Sequence, residues 1–181
     1  WFPDRAEPKL GIGADQVLLS QLGMDCALWD DVRDRHRLPL GSEERECFYA
    51  LLSAVGRAEP GELARRAEPA PLATLLQHPQ QLQGAILQVT GRVRRITRVV
   101  VDEPDIRERY RIDAYYQLDV LVPVGDQPIE LRGDDGEQAG PVYRESFPCT
   151  CCVQRLPESW EPLVGAAKVN RPVLIRGVFY K

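Results

Sequence analysis

Between Ile112 and Val124 the even positions are apolar (Ile112, Ala114, Tyr116, Leu118, Val120, Val122, Val124), whereas Asp113, Gln117 and Asp119 hold odd ones. Period-2 spacing of this kind predicts a strand with one face in a core and one face wet. From Ala85 to Val93 the odd positions Ala85, Leu87, Val89 and Val93 are apolar, with Gly91 in phase, and Gln88, Thr90 and Arg92 fall opposite. After Arg94-Arg95 the phase slips, because Ile96 takes the side that odd positions held before. An extra residue next to a glycine predicts a bulge that lets one strand bend sharply.

Tyr143 to Leu156 repeats the alternation with Tyr143, Phe147, Cys149, Cys151 and Val153 on one face. Pro148 lacks a backbone donor, which favours an edge or a bulge there. Arg171 to Lys181 forms another strand, with Val173, Ile175 and Phe179 inward, Gly177 in phase and Arg176 outward. In Glu158 to Val169 the residues Trp160, Leu163, Val164 and Ala167 share a helical face, so a short, Pro-interrupted helix is expected. A weak strand at Ile129 to Leu131 follows a Gly125-Asp126 turn and reads as a hairpin with the strand before it. The expected inward set is Val89, Val93, Tyr116, Leu118, Val120, Phe147, Val153, Val173 and Ile175.

The N-terminal part carries helical spacing instead. Ser42 before Glu43-Glu44 reads as a capped helix start, with Cys47, Phe48, Leu51, Leu52 and Val55 recurring on one face and Gly56 able to end it. Val17, Leu18, Gln21 and Leu22 mark an earlier segment, and Leu28, Trp29 and Val32 continue the apolar contacts. Residues 57–71 are rich in Pro, Ala and charge, with Arg-Ala-Glu-Pro tracts at residues 57–60 and 66–69 echoed at 5–8. They read as a linker enclosing at most one helical turn. Leu72, Leu75 and Leu76 form one more helical face, expected to pack on the entrance of the β part.

These elements define an α+β chain: a helical subdomain over residues 1–83, with its linker near 57–71, followed by a small five-stranded β-barrel over 84–181. The strand order resembles the OB-fold, although the usual OB helix lies between the third and fourth strands and the clearest one here follows the fourth. The tracts Gly91-Arg92-Val93-Arg94-Arg95-Ile96, Leu156-Pro157-Glu158 and residues 173–181 resemble uncharacterised bacterial envelope proteins carrying an OB-like domain. That resemblance covers roughly residues 84–181 and implies a fold and an exported, envelope or periplasmic compartment. It carries over no functional residue.

Composition narrows the function. Residues 1–83 hold 9 Lys+Arg against 13 Asp+Glu and residues 84–181 hold 14 against 14, so the chain's net charge of −4 sits entirely in the first part. Nucleic-acid binding ordinarily relies on a basic face, and neither part is basic overall. No apolar run approaches the length of a membrane-spanning helix. The chain begins at Trp1 and ends within a strand, which reads as a piece of a longer protein.

Arg92, Arg94 and Arg98 share even positions of the first β strand, subject to the bulge, and could line an outer face with Tyr115 on the next strand. Oligonucleotide-binding OB domains combine cations and aromatic rings in this way. The alternative is a solvated face whose arginines pair with Asp102, Glu103, Asp113 or Asp119, and the neutral balance of the β part favours it.

Five cysteines are present. Cys149 and Cys151 fall on the inward face and Cys152 on the outward one, which reads as small apolar residues filling a narrow interior rather than a zinc knuckle. Cys26 and Cys47, in two helical regions, could form a disulfide in an exported chain, against a reading as buried free thiols. His36 and His78 stand alone, and neither has a nucleophile context. Asp134-Asp135-Gly136-Glu137 lacks the spacing of a calcium loop, and Gly11-Ile12-Gly13 lacks a third glycine in register.

No metal or cofactor is expected. The leading functional expectation is therefore a non-enzymatic binding or scaffold module with a protein partner. Single-stranded nucleic-acid or oligosaccharide binding on the arginine face is the alternative, and a cysteine-dependent enzyme the second.

Overall fold

The computed structural model describes residues 13–33, 35, 39–132 and 139–181. His36, the acidic loop at 134–137, the tract at 5–8, and Gly11 and Ile12 lie outside them. The chain is mixed α+β: a helical layer precedes and covers part of one sheet, and among the described residues a two-stranded sheet shares no ladder with it.

Helix α1 (Ala14–Gln21) buries Leu18 and Leu19, and the Asp15 carboxylate accepts the Ile86 N–H at 2.9 Å, which fixes the helix to the start of the sheet. A 3₁₀ turn at Cys26–Asp31, capped by Asp25 accepting the Ala27 N–H at 2.9 Å, sets Trp29 into the helical core. Helix α2 (Arg45–Arg57) is entered through a 3₁₀ turn at Ser42–Glu44. The cap differs from the one expected at Ser42: the Glu44 carboxylate reaches back to accept the Gly41 N–H at 2.8 Å.

Helix α2 runs through Gly56 to Arg57. Gly56 is not a terminator; the Gln154 side chain lies against it while donating to the Leu52 carbonyl at 3.0 Å. Residues 57–71 are more ordered than a linker: α3 (Pro60–Arg66) starts with Pro at a position that needs no N–H, and β1 (Glu68–Pro69) pairs in parallel with Leu87 and Gln88. Helix α4 (Leu72–Gln77) places Leu72 and Leu76 against the inner face of the sheet, and α5 (Pro79–Leu82) completes the layer.

The sheet is organised around β2 (Ile86–Val100). Helix α6 (Pro104–Tyr110) then turns the chain into β3 (Ala114–Pro123), which pairs antiparallel with β2 from Arg92 to Val100. The register shifts between Val93 and Arg95, the bulge that the phase slip predicts. Strands β4 (Ile129–Arg132) and β5 (Ala139–Tyr143) pair with each other, so the weak strand does not form a hairpin with the strand before it. Tyr143 belongs to β5 rather than to the next strand, and its ring meets Phe147 at 4.7 Å.

Strand β6 (Ser146–Val153) pairs with β3, and β7 (Arg171–Val178) pairs with Ile86 to Val93 of β2. The expected five-stranded barrel is not formed: no ladder joins β6 to β7 among the described residues, and the sheet stays open. A 3₁₀ turn at Glu158–Leu163 lies in the connection between them. Trp160, Leu163, Val164 and Ala166 of that connection pack on the inner face, while Ala167 is exposed. The Gly165 N–H donates to the Ile96 carbonyl at 3.0 Å, so this connection takes up backbone that β7 leaves beyond the bulge.

All nine residues expected to face inward belong to one cluster, with Val93 and Ile96 fully buried at its centre. Asp113 is exposed and Gln117 and Asp119 are half-buried, as the opposite phase requires. Gly91 stands close against β3: a Cβ there would lie 2.6 Å from Val120 Cγ1 and 2.8 Å from the Leu121 carbonyl oxygen. Because a backbone atom cannot step aside, Gly91→Ala should lower stability by about 1–3 kcal/mol. Urea denaturation reads this, and a loss under about 0.5 kcal/mol would mean the strands separate freely there.

The helical core draws on both ends of the described chain. Val178 and Tyr180 pack with Trp29, Cys47 and Leu51, and Trp29 and Tyr180 lie 5.8 Å apart between ring centroids. Thus the expected inward phase of β7 ends at Gly177, after which the chain crosses to the helices. No helix among the described residues is long and apolar enough to cross a membrane.

Candidate binding face

The bulge in β2 decides what its arginines can do. Before it, Val89, Gly91 and Val93 point inward, so Gln88, Thr90 and Arg92 point out. After it, Ile96 points inward beside Leu118, and Arg98, two residues on and opposite Tyr116, shares that side. Arg92 and Arg98 therefore emerge on opposite faces, and the single arginine stripe expected from even numbering is split by the extra residue.

Tyr115 does not join them. It is buried at 9% exposure beneath α2, with its ring 5.4 Å from Phe48 and 6.3 Å from Tyr49. Burial pushes its phenol up to about 12, as expected of a hydroxyl held in an apolar setting. The outer face of the sheet is thus divided. Val99, Tyr115 and Cys152 lie under α2 and α6, packed with Tyr49, Leu52 and Ile106. The half formed by β2 and β7 is covered by α1 and α3 only at its Ile86–Val178 end and is bare beyond it: Thr90, Arg92, Pro172, Leu174 and Arg176 are exposed.

On that open half, Arg92 Nε and Arg94 Nη1 both donate to the Asn170 Oδ1, at 2.9 and 3.2 Å. Arg176 Nε donates to Gln88 Oε1 at 2.9 Å. The acids expected to neutralise this face are mostly engaged elsewhere: Asp113 pairs with Arg107 at 2.9 Å and Glu103 with Arg45 at 3.4 Å. Asp119 pairs with Arg95 at 2.6 Å. Among the described residues Arg92, Arg94 and Arg98 have no carboxylate partner.

A cleft of about 280 Å³ borders the same strand. It lies along the edge of β2 between the end of β1 and the end of β3, and Pro69, Pro71, Leu72, Val89, Thr90, Val122 and Pro123 line it. The Ala70 N–H donates to the Gln88 carbonyl at 3.2 Å, so Gln88 directs its backbone to this edge. Strand alternation then directs the N–H and C=O of Thr90 to the same edge, into the cleft.

Among the described residues the cysteines stand apart from this face. All five cysteines are free, so the Cys26–Cys47 bridge is not formed, although both thiols touch one core. Cys26 instead meets Ser20 Oγ at 3.1 Å and the Gln16 carbonyl at 3.4 Å. Burial pushes Cys47 and Cys152 up to about 12 and Cys149 and Cys151 up to about 11. At pH 8 such thiols hold far less thiolate than a free cysteine of pKa near 8.5, so native labelling of these four should run at least about tenfold slower than after unfolding. Mass-resolved alkylation checks this, and equal rates at any of the four would place that thiol at the surface.

His78 is exposed between α4 and α5. Among the described residues no group of three or more His, Cys, Asp or Glu side chains stands where it could hold a metal ion.

A buried ion pair escaped sequence reasoning altogether. The Glu44 carboxylate, fully buried, accepts from Lys181 Nζ at 2.7 and 2.9 Å, with Arg35 Nε at 3.5 Å. The Tyr180 hydroxyl donates to the Glu44 carbonyl at 3.1 Å. Burial acts to raise the Glu44 pKa, but the Gly41 N–H and the Lys181 and Arg35 charges outweigh it and hold the carboxyl below its ordinary value. Charge patterning alone shows Glu44 as a first-turn acid, and its partner lies 137 residues away. The pair clamps the chain after β7 to the start of α2 and is structural.

The fold and face define an α+β protein with an open sheet, half covered by helices and half bare, basic and partly apolar. No protein-family model, curated protein or solved structure matches the chain.

Proposed function

We propose that this chain is a non-enzymatic binding module that acts through contact with a protein partner. The observation that supports it is the bare outer half of the sheet. Leu174 is 46% exposed there, paired across from exposed Thr90, whose other side borders a cleft that opens on strand backbone. An apolar centre with a polar rim is what protein interfaces present. A cysteine-dependent activity draws no support from thiols whose burial keeps them protonated. Single-strand binding loses its stacking residue with Tyr115 under α2.

The same reading keeps an OB-like relation for β2, β3, β6 and β7, without closure. In its favour are the bent first strand that pairs with both β3 and β7, and a helical turn between the third and fourth strands of the sheet. It also keeps the cell envelope as the compartment, on the sequence resemblance alone.

Photo-crosslinking tests the function. A photoreactive residue at Leu174 or Thr90, in the source cells, should yield a discrete protein adduct, and the same residue at exposed Glu59 should not. Adducts at all three positions, or at none, would overturn the assignment.

A further inference from the structure

We infer that the bare face recognises an acidic, extended polypeptide segment, with its carboxylates on Arg92 and Arg94 and an apolar side chain over Leu174. This deepens the protein-contact reading above and rests on it. Arg92 and Arg94 bring two guanidinium groups onto one neutral oxygen of Asn170, at 2.9 and 3.2 Å. Each guanidinium carries five N–H donors in a planar fork suited to carboxylates, and one bond to a carboxamide leaves most of them for a ligand. Asn170 holds the two forks together without neutralising them.

The charge on this face is one-sided. Arg92, Arg94, Arg95 and Arg176 stand on or beside the outer face of β2 and β7, and the nearby carboxylate, Asp119, is held by Arg95 at 2.6 Å. The neutral sum over residues 84–181 hides this, because Asp113 and Glu103 pair with Arg107 and Arg45 at the covered half. Charge complementarity therefore selects an acidic ligand.

The neighbouring chemistry selects a polypeptide over a nucleic-acid strand. The residues around Arg92 on this face are Gln88, Thr90, Leu121, Pro172, Leu174 and Arg176, which offer no ring for a base to stack on. Thr90 directs backbone groups into the cleft, which an extended peptide can meet with its own amides. Thr90 and Arg92 share one face two residues apart, about 7 Å, the spacing of alternate side chains on an extended segment.

The probe is a capped ten-residue peptide with Glu at alternate positions and one central Leu, compared with its Gln counterpart and with a ten-nucleotide oligothymidylate. Fluorescence anisotropy at about 50 and about 300 mM salt reads binding. The acidic peptide should bind, weaken at the higher salt, and lose about tenfold in affinity in R92Q/R94Q, with partial recovery in R92K/R94K. Unchanged thermal unfolding confirms that these exposed substitutions leave the fold intact.

Equal binding of the Gln peptide, no effect of R92Q/R94Q, or no binding at all would overturn the inference. Tighter binding of the oligonucleotide with the same arginine dependence would assign the face to nucleic acid instead. Dimers in sedimentation that dissociate in R92Q/R94Q would assign it to a second copy of this chain. A protein adduct at Leu174 that forms equally well in R92Q/R94Q would leave the protein-contact function standing and sink the acidic-segment inference alone.

Discussion

Lys181→Met is expected to destabilise the protein by about 3–5 kcal/mol, because it strands the fully buried Glu44 carboxylate without its closest counter-charge. The remaining neighbours, the Gly41 N–H at 2.8 Å and Arg35 Nε at 3.5 Å, offset only part of that loss. The double variant E44Q/K181M should be more stable than K181M alone, since the carboxamide that replaces the Glu44 carboxylate still accepts from Gly41 and leaves no charge buried. Urea titration of the two variants decides it, and a double variant less stable than K181M would mean that the Glu44 carboxylate is satisfied without Lys181.

The same pair sets an acid limb. A carboxyl whose pKa is lowered on folding stabilises the folded state above its unfolded value, and that contribution falls away as pH drops through the folded value. Stability of the parent protein should therefore decline as pH falls below about 4.3, the free Glu value. In E44Q that part of the decline should be absent.

Tyr115→Ala should cost about 3 kcal/mol, as other large aromatic truncations in a core do. The ring lies at the seam between α2 and the sheet, in contact with Phe48 and Tyr49. Tyr115→Phe keeps the ring and should cost under about 1 kcal/mol. The acidic-peptide affinity should be the same in the parent and in Tyr115→Phe, because the ring faces α2 and not the bare half of the sheet. A Tyr115→Ala variant of parental stability would contradict the observed burial.

The inner face of the sheet was readable because strand alternation is local: each residue's side follows from its neighbours, and even the bulge announced itself as a phase slip at Arg94-Arg95. The arginine face failed for the same cause. Even numbering carried Arg92 and Arg98 together across the very residue that separates them. Tyr115 failed for a different one: period 2 assigns it to the outer side correctly, but whether that side meets water depends on α2, which arrives from far along the chain.

Pairing partners were harder still. The turn at Gly125-Asp126 suggested a hairpin with the preceding strand, yet Ile129 pairs forward with Tyr143. Turn signals mark where a chain reverses and not which strand it then chooses. Closure of the sheet is likewise a sum over long-range pairings, and no local pattern in β6 or β7 reports that their mutual ladder is missing. The Glu44–Lys181 pair is the extreme case, with no trace in either segment.

That clamp has a consequence for the order of events when the chain is synthesised. Helix α2 can form as soon as it leaves the ribosome, but its core lacks Val178 and Tyr180, and the Glu44 charge lacks Lys181, until almost all of the described chain has emerged. Contacts of such sequence separation close late and slowly. Until they do, Trp29, Cys47 and Leu51 remain without part of their cover, which makes the nascent helical layer a natural client for chaperones during translation.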